Sequence, residues 1–194
     1  MTTTFSSALV GLFLLTNASA PSAEWTGPVK DAPPEPTYTT YSVSMTGYNA
    51  VPGQTDDTPT VTASGALVNP SIGAARSRDL ADELPFGTVV EIVPGTATSS
   101  RTCELPSVAD GIGYRVITDT MAPRIHNHVD ILFPTDDPIF IGGRELNAAK
   151  AMGWCTDVAI RVVGHVDMDH MPRNQKELRL AVSEDVSAPL AVNN

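Results

Sequence analysis

The chain is short of most features that would announce a function. Lysine and arginine number 12 against 22 aspartates and glutamates, a formal net charge of −10. That balance argues against nucleic acid or an anionic membrane surface as a partner, because polyanions are held chiefly by clustered cations. Aromatic residues make up 6%, which leaves few platforms for stacking on flat ligands or sugar rings. No Gly-rich phosphate cradle or dinucleotide pattern is present, so no organic cofactor is expected. Cysteine is limited to Cys103 and Cys155, and two distant thiolates are too few soft ligands for a metal centre. No apolar run is long enough to cross a bilayer as a helix, so no transmembrane anchor is expected. Apolar residues are not scarce. At 42% hydrophobic over 194 residues, the chain suits one folded domain with tails.

The first segment reads as an export signal over residues 1–20. Ala8 to Leu15 is a short apolar core, and Ala18-Ser19-Ala20 is a small-x-small cleavage site before Pro21, although no Lys or Arg precedes the core. A secreted or periplasmic, cell-envelope location follows. Residues 21–37 hold Pro21, Pro28, Pro33, Pro34 and Pro36 without helical or alternating patterning, the composition of an extended linker. An even pair of cysteines in an exported chain favours a structural Cys103–Cys155 disulfide over two buried thiols.

The domain proper is read as residues 38–164. It opens on the strand-forming run Tyr38 to Met45 and continues through strands at Thr88–Val93, Tyr114–Thr118, His128–Phe133 and Val158–Val163, with a helix over Gly142–Gly153. Residues 94–113 read as a loop-rich insertion, and residues 165–194 as a weakly patterned C-terminal tail. Short strands joined by loops, with one or two short helices, favour a mainly β fold built as a small closed barrel over alternating βαβ units.

Three aspartates stand out: Asp79 in Ser77-Arg78-Asp79-Leu80, Asp119 in Ile117-Thr118-Asp119-Thr120, and Asp130 in His128-Val129-Asp130-Ile131-Leu132-Phe133. Asp119 and Asp130 interrupt β-branched, apolar runs, where a carboxylate is out of place unless it is exposed or serving something. If folding gathers the three, mutual repulsion should keep a proton on one of them near neutral pH and make it a general acid.

Taken in order, Thr62-Ala63-Ser64-Gly65, Ser77-Arg78-Asp79-Leu80, Leu84-Pro85-Phe86-Gly87-Thr88, Asp119-Thr120 and Val129-Asp130-Ile131-Leu132-Phe133 resemble the three-aspartate (3D) domain. That domain is similar to the catalytic barrel of membrane-bound lytic transglycosylase A and to rare-lipoprotein-A-like proteins. The resemblance spans roughly residues 42–164. It implies a six-stranded double-psi β-barrel acting on peptidoglycan glycan strands as a glycosidic-bond-cleaving enzyme of lytic transglycosylase type. It places the acid/base role on Asp130, with Asp119 lining the same groove and Asp79 completing the set. The family commonly has glycines after the Asp-Thr pair, where this chain has Met121-Ala122-Pro123.

The chemistry needs little machinery. A transglycosylase manages with one carboxyl group because the muramic C6 hydroxyl, already tethered, attacks its own anomeric carbon. Asp130 must then begin protonated, well above the ordinary aspartate value. Thr46, Tyr48, Thr62 and Ser64 offer hydroxyls to a sugar. Alternation along a strand puts His126 and His128 on the face of Asp130, so His128 is a further candidate for substrate binding. His165, Asp167, Asp169 and His170 have metal-like composition, but a solvated tail is the favoured reading and no metal is assigned. Two alternatives stay open: a non-catalytic carbohydrate-binding or wall-loosening barrel, and a water-using glycan hydrolase with two of the aspartates as acid and base.

Overall fold

The computed structural model describes residues 37–55, 58–97, 103–136 and 138–187. The expected signal peptide, and the linker apart from Thr37, lie outside the described residues. The molecule is mainly β. Six strands, β1 (Thr40–Tyr48), β2 (Gly73–Arg76), β3 (Thr88–Ile92), β4 (Arg115–Thr120), β5 (His128–Leu132) and β8 (Cys155–His165), close a barrel in the order β1-β5-β2-β4-β3-β8. The β1–β5 and β2–β4 pairs are parallel and the others antiparallel, so the barrel is mixed. Closure leaves none of these six strands with an unpaired edge. The six-stranded barrel expected from the sequence is present.

Alternation decides which side chains go inside. Val43 and Met45 of β1, Ala74 of β2, Val90 of β3, Ile117 of β4, Val129 and Ile131 of β5, and Val158 and Ile160 of β8 are all buried in one cluster. Their alternate neighbours point outward, which leaves the outer wall to be covered by other elements or used as a site. Gly87 turns the chain into β3 with φ of +90°, and a Cβ there would run into the Val166 carbonyl, so only glycine serves.

Three helices accompany the barrel: α1 (Leu105–Ile112), α2 (Ala148–Met152) and α3 (Gln175–Ser187). The helix expected over Gly142–Gly153 is shorter than its apolar spacing suggested. Gly142 and Gly143, with φ of +57° and +76°, make a two-residue turn between β6 (Pro138–Ile141) and β7 (Arg144–Asn147). Only the last turn is helical, started by the Asn147 side chain accepting from the Ala149 and Lys150 N–H groups. The insertion before Gly113 is likewise not all loop, since Leu105, Val108 and Ile112 bury one face of α1.

Cys103 and Cys155 form the expected disulfide, with Cα atoms 4.8 Å apart. It fastens the start of α1 to the start of β8. Closing a loop of sequence separation 52 stabilises the fold by about 4 kcal/mol in the chain-entropy view.

The segment after Gly164 is more than a tail. β8 runs on to His165, residues 168–170 make a 3₁₀ turn, and α3 buries Leu178 and Val182 against Ile72, Val89, Val116, Val163 and Val166. Gln175 fixes the helix, accepting from the Tyr114 N–H (3.0 Å) and donating to the Ser71 (2.8 Å) and Tyr114 (2.7 Å) carbonyls. Two inward apolar residues in a mostly polar helix give a periodicity too thin to stand out.

Candidate active site

The site lies on the outer wall, opposite in character to the face under α3. Strand register puts Thr46 of β1 beside Asp130 of β5, Asp130 beside Ala75 of β2, and Ala75 beside Asp119 of β4. Residues in one such row point to the same side. With strands spaced roughly 4.8 Å apart, the Asp119 and Asp130 Cα atoms lie about 10 Å from each other. Both aspartates, with Tyr48 and Ala75, line an open cleft of about 690 Å³.

Asp119 reaches that face because of an irregularity. Ile117 points inward and pairs with Ala74, so simple alternation would send residue 119 inward as well. Between these rows the register slips by one: Ala75 pairs with Asp119, and Thr118 is the extra residue. A slip of this kind re-aims every later side chain, and here it brings a carboxylate to the outer surface. Asp119 is then fixed from both sides, its Oδ1 accepting from the Ala63 N–H at 2.9 Å and the Thr120 N–H at 2.8 Å.

Ala63 is held in place by the loop that carries it. Gly65, with φ of +86°, lets the Thr62–Ala66 turn close. The Thr62 hydroxyl donates to the Ala66 carbonyl (3.1 Å) and lies 2.9 Å from the Ser64 hydroxyl. The Ser64 N–H meets the Thr118 carbonyl at 3.1 Å. Thr62 and Ser64 therefore spend their hydroxyls on shaping this loop, and neither lines the cleft.

Asp130 is the buried carboxyl of the pair. Burial pushes its pKa up to about 6, against the opposing effect of the Thr46 hydroxyl, which donates to Oδ1 at 2.9 Å. Burial, and not repulsion among three aspartates, holds the proton: neither Asp119 nor Asp79 contributes to the shift. Thr46 Oγ1 also lies 2.8 Å from Nε2 of His128, which is fully buried and packs against Trp154 with ring centroids 4.6 Å apart. Burial holds His128 down to about 4, so its imidazole is neutral through the physiological range. A threonine hydroxyl has one proton. When that proton goes to ionised Asp130, Nε2 must carry the imidazole hydrogen and donate to Thr46, and Nδ1 is the bare nitrogen. Nδ1 has no partner among the described residues. His128 thus acts on Asp130 through Thr46 and is not itself a wall of the cleft.

The Tyr48 hydroxyl is buried and interacts with the Asp119 carboxyl group. Burial, then the charges of Asp119 and Asp130, hold its pKa far above the ordinary range, so it remains an O–H donor.

Asp79 is not among the residues lining the cleft. Its Oδ2 accepts from the Asn127 N–H at 2.8 Å, and Oδ1 lies 3.8 Å from Nδ1 of the exposed His126. Desolvation opposes its ionisation, but bonds from Ser77 and Asn127 outweigh it and the carboxyl sits below its usual value. Asn127 has φ of +46°, and the buried Ser77 hydroxyl accepts from the His128 N–H at 3.0 Å. Asp79 therefore braces the turn that feeds β5. Ser77 and Trp154 act on His128 in the same indirect way. Ser77 stood inside a recognised motif, whereas nothing local in the sequence marked Trp154.

Asp167 and His170 form an exposed pair at 2.8 Å on the 3₁₀ turn after β8. Among the described residues no three His, Cys, Asp or Glu side chains are grouped to hold a metal. No helix among them is long and apolar enough to cross a membrane. Comparison with known proteins gives no match, either to a protein-family model or to a curated protein.

Proposed function

We propose that the protein is an exported enzyme that cleaves glycosidic bonds of peptidoglycan in the manner of a lytic transglycosylase, with Asp130 as its acid/base. The observation that carries this reading is one carboxyl group, buried enough to titrate at about 6 and facing an open cleft. Such a group is part protonated and part ionised near neutral pH, the condition for giving a proton and then taking one back.

In the first step the Asp130 carboxyl protonates the glycosidic oxygen as the bond to the anomeric carbon breaks. The muramic C6 hydroxyl then bonds to that carbon, and the Asp130 carboxylate accepts its proton, restoring the acid. Thr46 holds the carboxyl in orientation, and His128 holds Thr46. Tyr48 supplies a neutral donor within the cleft. The Cys103–Cys155 bond supports export, since disulfides persist in oxidising compartments. The ordered motifs resembling the three-aspartate domain support the substrate class. A second reading, hydrolysis with Asp119 as the base, rests on Asp119 lining the same cleft one strand beyond Asp130's neighbour.

The test is to incubate the protein and its Asp130→Asn variant with purified peptidoglycan and weigh the soluble fragments by mass spectrometry. Fragments with 1,6-anhydro ends, falling about 10²–10⁴-fold in the variant, are expected of a single acid/base. Reducing ends would replace the transglycosylase with the hydrolase. Binding without release of fragments would make the protein a glycan-binding barrel.

A further inference from the structure

We propose that Arg78 and Arg124 select glycans bearing a carboxylate near the scissile bond, an inference that rests on the glycan-cleaving reading above. The charged residues lining the described cleft are Arg78, Asp119, Arg124 and Asp130. When Asp130 carries its proton, two cations face a single remaining carboxylate, although the protein as a whole has a net charge of −10. Among the described residues neither arginine lies within salt-bridge distance of an acid. Both are exposed.

Their placement follows from the topology. β2 and β4 are parallel, so they leave the barrel at the same end, and the Met121 N–H donates to the Arg76 carbonyl at 2.9 Å to hold the two exits together. Arg78 comes two residues after that bond on one chain segment and Arg124 three residues after it on the other. From the Thr46–Asp130–Ala75–Asp119 row to Arg78 is three residues, on the order of 10 Å of extended chain. Neither arginine figures among the causes of the Asp130 shift, which are burial and the Thr46 bond. Both arginines thus line the cleft without lowering the Asp130 value.

A guanidinium presents paired N–H groups that match a carboxylate, and two of them on one rim favour an acidic ligand over a neutral one. In peptidoglycan the carboxylate is that of the lactyl ether on strands without peptides, or one on the stem peptide. The two sources share their chemistry and differ in which substrate shows the effect.

The experiment compares cleavage of peptide-bearing strands, amidase-stripped strands with free lactyl carboxylates, and an uncharged N-acetylglucosamine hexamer. The enzymes are the wild type, Arg78→Gln, Arg124→Gln, the double Gln variant and the double Lys variant, with thermal unfolding to confirm folding. The wild type is expected to favour carboxylate-bearing strands at least about 10-fold in kcat/KM over the hexamer. The double Gln variant should bring that ratio close to one, and the double Lys variant should restore part of it. The rate against pH should keep its midpoint in all variants. A preference confined to stripped strands names the lactyl group, and one confined to intact strands names the peptide. Cleavage with a ratio that Arg→Gln leaves intact would overturn this inference while the proposed activity stands. Absence of cleavage and binding for every glycan would overturn both.

Discussion

Two stretches of the same barrel's outer wall have been put to opposite uses. Under α3 the wall carries Ile72, Val89, Val116 and Val163, sealed by Leu178 and Val182. On the other stretch Asp130, Ala75 and Asp119 line an open cleft, and Thr46, beside Asp130 in the same row, does not. The sealed face behaves like core, where each apolar group adds stability. The open face holds a buried carboxyl and a buried imidazole, each of which is easier to keep neutral than charged. The barrel interior, with its larger apolar cluster, lies between the two faces.

Leu178→Ala should break this contrast most severely. Leu178 is fully buried, and truncating a buried leucine costs about 2–5 kcal/mol, read as a lower urea midpoint. The Asp130 titration should stay where it is, because α3 does not touch the cleft.

On the open face the sign reverses. Asp130 has a folded pKa of about 6, above its ordinary 3.8, so the folded state binds its proton more tightly than the unfolded chain. Its ionisation therefore costs stability as pH rises through the window from about 4 to 6, and the full cost remains above it. At pH 7 Asp130→Asn should stabilise the protein by about 2–3 kcal/mol while lowering the proposed cleavage about 10²–10⁴-fold. His128 works in the opposite direction. Its folded pKa of about 4 lies below the ordinary 6.5, so its contribution is complete above 6.5 and is lost as pH falls toward 4. Over the shared window the two slopes oppose each other. Asp130→Asn should unmask the histidine slope, seen as stability rising with pH in a series of urea titrations.

The smallest effect is that of Thr46→Val. Losing a donor to the ionised carboxyl should move the Asp130 midpoint further upward. The pH–rate profile would follow it, and a profile that stays in place would remove Thr46 from the account.

The contrast between the faces was only partly legible in the sequence. Five of the six barrel strands were, because their apolar and β-branched residues alternate, and so was the disulfide. Asp119 and Asp130 stood out because they interrupt those runs. β2, Gly73-Ala74-Ala75-Arg76, was not legible, because it holds no β-branched residue. The side on which Asp119 falls was not, since it depends on one slipped residue at Thr118 that no local composition marks. The Gly142-Gly143 turn was a readable hairpin signal that apolar spacing at Leu146, Ala149 and Met152 concealed. α3 was hidden because Leu178 and Val182 are too few to declare a face. The three aspartates looked equivalent because their settings are similar. Only tertiary contacts separate a buried acid from one held by two backbone N–H groups and one bracing the turn before β5.

The central claim is that Asp130 alone, through burial, keeps a proton close to neutral pH. Carboxyl carbon shifts of ¹³C-labelled protein, followed from pH 3 to 8 with Asp130→Asn used to assign the resonance, measure it directly. A midpoint near 6 for Asp130, essentially unmoved in an Asp119→Asn variant, is the expected result. A midpoint near 4, or one that drops when Asp119 is neutralised, would contradict it.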